Sequence, residues 1–192
     1  MPGIHRPDKP KPGGPLGFWI SEDERGLAVK YSVSGVELPV RPGHHLLPMR
    51  IAVLADTHDR CPSGLVERWR EADEIWHLGD VCAPETLWEI EQLGSPLRVV
   101  HGNCDDHPAW PLRLELERAG LRFYLAHIPP REAPAGTHAV LHGHTHVPRN
   151  ELIAGVRWLN PGSLTRPRGG VAGYAWLEVN PGQPLRWSQV RV

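Results

Sequence analysis

The 192-residue sequence has few cysteines, no long hydrophobic run and a formal net charge of only −1. Its three cysteines, Cys61, Cys82 and Cys104, are far apart and form no Cys-x-x-Cys pair, which argues against a disulfide framework and a zinc knuckle. Reduced thiols are typical of cytoplasmic proteins, so we expect a cytoplasmic location. No apolar run approaches the length of a membrane span, and we expect no membrane contact. The small net charge gives no overall attraction to nucleic acid, which is therefore not an expected partner.

Residues 1–48 are predicted to form an N-terminal extension. Residues 1–17 are dense in proline and glycine, contain no apolar signal-peptide core, and are predicted to be disordered. In residues 27–40, apolar residues alternate with polar ones around Ser34-Gly35, which predicts a β-hairpin with a two-residue turn. An isolated hairpin is marginal in water, so we expect this one to contact its own domain, a second copy in a homodimer, or a partner. Its apolar face would consist of Val29, Tyr31, Val33, Val36, Leu38 and Val40.

Residues 49–192 are predicted to form the main domain, with an α/β half followed by a β-rich half. Three short apolar strands, MRIAVLAD, EIWHLGD and PLRVVHGN, alternate with helices predicted over residues 62–71 and 84–93. This β-α-β-α-β order predicts a parallel sheet with right-handed crossovers. After residue 110, period-two alternation predicts a hairpin that turns at Ala119-Gly120, followed by the strand segments THAVLHGH, NELIAGVRWLN, VAGYAWLEVN and PLRWSQVRV.

Five of the predicted strands end in residues that can bind a metal ion. In open parallel sheets, sites form beyond the carboxyl ends of the strands, so these ends could meet in one crevice. Their carboxylates, imidazoles and single amide suit Mn, Fe or Zn rather than a thiolate-rich structural zinc. Seven such side chains exceed the needs of one tetrahedral ion and suit two. The five ends are Asp56-Thr57-His58, Gly79-Asp80, Gly102-Asn103, His127 and Gly143-His144-Thr145-His146.

Spacing within two of these ends also suits a pair of ions. Residues i and i+2 of an extended segment point the same way, so Asp56 and His58 could share one ion. His144 and His146 would lie roughly 6–7 Å apart along such a backbone. Each could then bind one of two ions that are about 3.5–4 Å apart.

Together with the segment from Asn160 to Arg168, NPGSLTRPR, these motifs resemble the calcineurin-like metallophosphoesterases, most closely the small YfcE-type phosphodiesterases. The resemblance covers residues 49–180 approximately. It implies an α/β fold, a four-layer αββα sandwich of two mixed β-sheets, with a dinuclear metal centre. In the implied centre, one metal is bound by Asp56, His58 and His146, the other by Asn103, His127 and His144, and Asp80 bridges them.

The resemblance also implies the activity, a metal-dependent phosphoesterase and more specifically a phosphodiesterase. A hydroxide between the ions would attack phosphorus in line, with Asp80, Asn103 and His58 as the catalytic residues. The cofactors would be two divalent ions, Mn first, with Fe, Zn, Ni or Mg as alternatives. The substrate would be a phosphodiester or another small phosphoester, and Arg166 and Arg168 would either contact its phosphate or remain solvated.

Two positions depart from the commonest family pattern. Cys104 stands where many members have a His that acts on the leaving group, although YfcE-type members also have Cys there. General acid catalysis is typically worth about 10²–10⁴-fold, so we expect modest rates and a preference for good leaving groups unless His107 or another group substitutes. Three prolines within residues 129–134 oppose the helix that usually follows the position of His127, so we expect an altered wall on the substrate side.

Alternative interpretations remain for single residues and for the whole chain. His77, His101, His138 and His142 have no implied ligand role and are predicted to be structural, although His101 and His142 could support neighbouring ligands through hydrogen bonds. The chain could be a protein-interaction scaffold similar to the retromer subunit with this fold, or a nuclease of the same superfamily. A scaffold does not need seven convergent ligands, and a nuclease would be expected to carry a basic track.

Overall fold

The computed structural model describes residues 17–23, 26–33, 36–39, 47–62 and 64–192. Its contacts divide the chain into two compact units, Met1–His44 and His45–Val192. The segment 1–17, for which the sequence predicts disorder, lies outside the described residues except for Gly17. The predicted domain boundary after residue 48 stays a prediction.

The first unit contains a hairpin in the register that the sequence predicts. Its two strands pair antiparallel, with Tyr31 opposite Leu38 and Val33 opposite Val36. A third strand, absent from the sequence prediction, pairs along the other side of the hairpin, which gives the order β1-β2-β3. The predicted face-to-face pair of Val29 and Val40 includes a residue outside the described ranges. The strands are β1 (Gly17–Asp23), β2 (Gly26–Val33) and β3 (Val36–Pro39).

The second unit contains ten strands in its described residues. In chain order they are β4 (Met49–Leu54), β5 (Glu74–His77), β6 (Leu97–Val99), β7 (Arg113–Arg118), β8 (Leu121–Ala126), β9 (Ala139–Leu141), β10 (Arg149–Ile153), β11 (Val156–Asn160), β12 (Gly173–Val179) and β13 (Arg186–Arg191). They form two five-stranded mixed sheets, with the orders β13-β12-β4-β5-β6 and β10-β11-β9-β8-β7. The parallel pairing of β4, β5 and β6 and the hairpin of β7 and β8 confirm the sequence prediction.

The helices between the parallel strands are shorter than predicted. The segment 62–71 contains one 3₁₀ turn, Val66–Trp69, and the segment 84–93 contains a 3₁₀ turn, Pro84–Leu87, that continues into α1 (Trp88–Glu91). None of these turns has a side-chain hydrogen bond at its N-cap, so the partner that stabilises a longer first turn is missing. Over the ranges that the structure describes, no helix has both the length and the apolar character needed to cross a membrane.

Two apolar cores hold these layers together. Alternate residues of β4 divide between them, because successive side chains of a strand point to opposite faces. Ile51 and Val53 pack with Phe123 and other residues of the second sheet, while Leu54 packs with Trp69 and other residues of the helical turns. The two mixed sheets with their helical turns confirm the predicted fold class. As the prolines predict, residues 128–138 contain no helix.

Candidate metal centre

The loops that follow β4 and β5 lie side by side through backbone hydrogen bonds. The N–H of Asp56 donates to the carbonyl oxygen of Gly79 at 3.0 Å, and the N–H of His58 donates to that of Asp80 at 3.0 Å. The N–H of His144 donates to Oδ1 of Asp56 at 3.2 Å, which joins the loop after β9 to the same place. The carboxyl ends of strands from both sheets therefore meet at one site, as expected for open parallel sheets.

Four of the predicted ligands form a buried first group, Asp56, His58, Asp80 and His146. One ligand atom from each lies within 4.8 Å of the others. Nε2 of His146 is 3.2 Å from Nε2 of His58 and 3.3 Å from Oδ1 of Asp56. The ring orientation of His146 is set by its Nδ1–H, which donates to the carbonyl oxygen of Arg166 at 2.6 Å. Its Nε2 lone pair is thereby directed into the group.

The other three predicted ligands, Asn103, His127 and His144, form a second group. Oδ1 of Asn103 is 2.7 Å from Nδ1 of His144 and 3.1 Å from Nε2 of His127. His127, whose following sequence departs from the family pattern, lies in this group as predicted, because its Nδ1–H donates to the carbonyl oxygen of Leu78 at 2.8 Å. All seven predicted ligands are thus brought together, while their role as ligands stays a prediction.

Asp80 lies between the two groups, and its two carboxylate oxygens face different ones. Oδ2 is 3.8 Å from Nε2 of His58, and Oδ1 is 3.3 Å from Nε2 of His127. Burial acts to raise the pKa of Asp80, but the hydrogen bonds with His127 and from the Cys104 N–H outweigh it and hold that pKa below its usual range. The carboxylate is therefore ionised at neutral pH and able to face two cations.

The backbone of the site is strained. Asp56, His58, Asp80, His144 and His146 have φ angles of 55°, 45°, 57°, 65° and 60°, in the left-handed region that non-glycine residues rarely adopt. Such conformations cost of order 1–3 kcal/mol each and persist only where the surrounding structure enforces them. Five of these conformations occur at predicted ligands. This indicates that the placement of the ligand side chains is maintained despite the free-energy cost of the backbone strain.

Gly79-Asp80 after β5 and Gly102-Asn103 after β6 each begin with a glycine, and the structure leaves no room for a side chain at either glycine. A Cβ at Gly102 would collide with the backbone nitrogen and Oδ1 of Asp80. Gly79 has a φ of +86°, and a Cβ there would lie 2.8 Å from the nitrogen of Gly102. The loop that carries Asp80 therefore packs directly against the backbone at Gly102.

Asp105 is a supporting residue to which the sequence analysis assigns no role. Its buried carboxylate accepts three backbone hydrogen bonds, from Asp80 at 3.0 Å, from Gly102 at 2.7 Å and from Cys82 at 2.7 Å. It thereby fixes the loop that carries Asp80 to the loop that carries Asn103. Its place in the Gly-Asn-Cys-Asp motif is the only sequence signal for this role, because the partners are backbone groups.

The turn that begins at Asn160 supports the site from the other side. Nδ2 of Asn160 donates to the carbonyl oxygen of Gly143 at 2.9 Å and to Oγ1 of Thr145 at 3.1 Å. Oγ of Ser163 donates to the carbonyl oxygen of Asp56 at 2.9 Å. Asn160 thus anchors the loop of His144 and His146, and Ser163 anchors the loop of Asp56, so the Asn-Pro-Gly-Ser motif positions ligands in addition to turning the chain.

Two of the histidines predicted to be structural, His77 and His142, lie buried beside the site. Nδ1 of His77 accepts the N–H of Gly79 at 3.2 Å, and Nε2 is 3.1 Å from Oγ1 of Thr57. Burial lowers the pKa of each of these two imidazoles to about 4. Both rings are neutral at neutral pH and add no positive charge beside the predicted metals.

The residues of the first group fit a divalent cation. Oδ2 of Asp56 is buried and has no hydrogen-bond partner. Burial raises the pKa of the Asp56 carboxyl to about 7, against the opposing effect of a charged His127. Burial also lowers the pKa of His58 and of His146, so each presents a neutral imidazole with a lone pair. A cation would give the Asp56 carboxylate a positively charged partner. It would also accept the lone pairs of His58 and His146.

Arg166 and Arg168, the predicted substrate contacts, are exposed beside the first group. Burial is the largest cause that lowers the pKa of His146 and of His58. The charge of Arg168 also lowers the pKa of His146, and the charge of Arg166 also lowers that of His58. Both guanidinium groups are therefore close enough to act on the site, and they are free to contact an anion that approaches from solvent.

Comparisons with known proteins agree with these observations. Residues 49–182 match the family model of the calcineurin-like phosphoesterase superfamily domain. A probable metallophosphoesterase of Methanothermobacter thermautotrophicus is 33% identical, and the match covers 62% of this chain and 80% of that protein.

Two solved structures are similar in fold. YfcE, a phosphoesterase from E. coli, has a TM-score of 0.59 at 22% identity, over 74% of this chain and 100% of that one. Vps29 of Entamoeba histolytica, solved in complex with Zn²⁺, has a TM-score of 0.61 at 21% identity, over 74% of this chain and 99% of that one. At these identities, each similarity is evidence of a shared fold.

Proposed function

The chain belongs to the calcineurin-like phosphoesterase superfamily, and on that premise we propose that it is a metal-dependent phosphodiesterase with two divalent ions in its active site. The observation that carries the proposal is the position of Asp80, whose two carboxylate oxygens face different groups of donors. Three further donors on each side would complete two separate coordination sites.

We propose that the donors divide between the two ions as the family resemblance implies. When bound, the two ions would supply an activated water as nucleophile and neutralise charge on the phosphoryl oxygens, with Mn²⁺ the first candidate. Asp56, His58 and His146 would bind one ion, Asn103, His127 and His144 would bind the other, and Asp80 would contribute one oxygen to each.

The residues around the donors would hold them in place during turnover. The Cys104 N–H donates to Oδ1 of Asp80 at 2.9 Å, and the amide of Asn103 is oriented by donation from its Nδ2 to Sγ of Cys104 at 3.3 Å. Oδ1 of Asn103 is thereby kept toward His127 and His144. Preorganised donors of this kind cost no reorganisation at the moment of reaction.

Proton transfer to the leaving group is the weak part of this site. Burial and then the charge of Asp80 raise the pKa of the Cys104 thiol, so it keeps its proton at neutral pH and is a poor general acid. We therefore propose a preference for substrates whose leaving group departs without protonation. Arg166 and Arg168 would contact the phosphate and so favour small phosphoesters.

Purified protein is expected to hydrolyse bis-p-nitrophenyl phosphate when Mn²⁺ is supplied, and to lose that activity when a chelator is added. The matched comparison is p-nitrophenyl phosphate, which has the same leaving group and one ester bond fewer. Faster hydrolysis of the monoester would contradict the diesterase proposal. Absence of turnover with Mn, Fe, Zn, Ni or Mg, at an intact fold by circular dichroism, would favour a scaffold role instead.

We also propose that the predicted hairpin of residues 27–40 contacts a second copy of the chain or a partner, because its expected apolar face needs cover. Deletion of residues 1–48 is expected to change the molar mass in solution or to lower the unfolding temperature. Deletion of residues 1–16, which leaves β1, β2 and β3 intact, is the matched control. If both deletions behave like the full chain, the hairpin makes no such contact.

A cytoplasmic location stays a prediction, which the three free thiols support.

A further inference from the structure

Two cysteine thiols lie directly beside the candidate metal centre. Sγ of Cys82 is 3.5 Å from Nδ1 of His58. Sγ of Cys82, Sγ of Cys104 and a ring nitrogen of His58 all lie within 4.8 Å of one another. Cys61, the remaining cysteine, does not belong to this cluster. The family resemblance assigns ligand roles to neither Cys82 nor Cys104.

His58 faces two different environments through its two ring nitrogens. Nε2 faces the first group, at 3.2 Å from Nε2 of His146 and 3.8 Å from Oδ2 of Asp80. Nδ1 faces Cys82 on the opposite side of the ring. Once its remaining ring proton is lost, an imidazolate presents one lone pair from each nitrogen, so His58 could contact an ion on the thiol side in addition to one in the proposed pair.

The backbone holds both thiols in place. Cys82 has a left-handed φ of 68°, and its N–H donates to Oδ1 of Asp105 at 2.7 Å. The N–H of Cys104 donates to Oδ1 of Asp80 at 2.9 Å. The carboxylates that fix the thiols also make their surroundings negative, which favours a bound cation over a bound anion. These hydrogen bonds fix the backbone from which each thiol extends.

We propose that Cys82, Cys104 and Nδ1 of His58 form a third metal site, selective for a thiophilic divalent ion, with Zn²⁺ as the expected occupant. Two sulfurs and one imidazole are a ligand set that zinc accepts, and a fourth position would be filled from solvent because Cys104 is exposed. The proposed metal pair has only oxygen and nitrogen donors, with no thiolate, and such a set also accepts Mn²⁺. Both thiols and the Nδ1–H of His58 would release their protons to solvent when the ion binds, which leaves His58 as an imidazolate that contacts ions through both nitrogens. The inference rests on the proposed function only in assigning Nε2 of His58 to the pair.

Titration with Co²⁺ under reducing, anaerobic conditions tests this site without measuring activity. The reduced, chelator-treated full chain is expected to develop a thiolate-to-cobalt charge-transfer band that saturates at an intensity of one thiolate-bound ion per chain and disappears when Zn²⁺ is added. Cys82→Ser and Cys104→Ser should each weaken the Co²⁺ affinity of this band by at least about 10–100-fold, the loss typical for even an outer partner of a metal ligand. Cys61→Ser is the matched control and should leave the band unchanged.

Asp56→Asn separates this inference from the proposed function, because Asp56 belongs to the proposed pair and not to the thiol cluster. This variant is expected to lose Mn²⁺-dependent hydrolysis and to keep the cobalt band. A wild-type protein that hydrolyses phosphodiesters without a band would overturn the thiol site alone, and a band without hydrolysis would overturn the proposed function alone. A band that survives both cysteine substitutions would contradict the site. The site would also be contradicted if wild type and Cys61→Ser, under non-reducing conditions, each had a mass two hydrogens below that of the reduced protein. Such a mass would identify Cys82 and Cys104 as a disulfide pair.

Discussion

Replacing Asp80 by Asn is expected to lower phosphodiester hydrolysis by more than about 100-fold, because loss of an outer partner of a metal ligand already costs 10–100-fold. Both oxygens of Asp80 face predicted ligands, Oδ1 toward His127 and Oδ2 toward His58. An amide keeps the shape of the carboxylate, but it replaces one oxygen by an NH₂ group that cannot bind a cation and removes the negative charge. Both proposed metal positions should weaken together, measured as metal content after equilibrium dialysis against Mn²⁺.

Asp106→Asn is the matched control for Asp80→Asn. Asp106 lies in the same loop as Asn103, carries the same functional group and is exposed. Its substitution should leave both metal content and hydrolysis close to those of the wild type. An Asp80→Asn protein that still binds two ions with unchanged affinity would show that Asp80 does not bridge them.

The Asp105→Ala variant is expected to be less stable by about 3 kcal/mol or more, because each buried donor left unsatisfied costs roughly 1–3 kcal/mol. The Asp105 carboxylate accepts the N–H groups of Asp80, Gly102 and Cys82, and alanine replaces none of these hydrogen bonds. Asp80 would also lose the contact that holds its left-handed backbone. Metal affinity should therefore fall together with the free energy of unfolding, measured by urea denaturation.

Asp106→Ala removes the neighbouring exposed carboxyl and is expected to change the free energy of unfolding by no more than about 0.5 kcal/mol. Asp105→Asn should lie between the two, because its amide oxygen can still accept hydrogen bonds while its NH₂ group faces a backbone donor. If Asp105→Ala is as stable as Asp106→Ala, the three hydrogen bonds do not hold the loops together.

Local pattern predicts strands in this chain better than helices. The alternation in residues 112–127 and the turn at Ala119-Gly120 correspond to β7 and β8, and the pairing of Tyr31 with Leu38 matches the predicted hairpin register. The segments 62–71 and 84–93 have helical composition but form only short turns. The N-terminal ends of their turns lack side-chain caps, and Trp69 and Ile90 pack in one apolar cluster with Leu54 of β4.

The sequence by itself predicted the fold class, through its resemblance to a known family, and it also predicted which seven side chains the structure brings together. It could do so because each side chain follows the end of a strand, and the ends of strands in such sheets meet at one edge. It could not show that Asp105 joins the loops, that Asn160 anchors the histidine loop or that the Cys82 thiol faces Nδ1 of His58. Only the tertiary structure decided these features. The hydrogen bond of Asp105 to Asp80 spans 25 residues and the contact of Cys82 with His58 spans 24, and no local periodicity records which backbone group or ring nitrogen a distant side chain will contact.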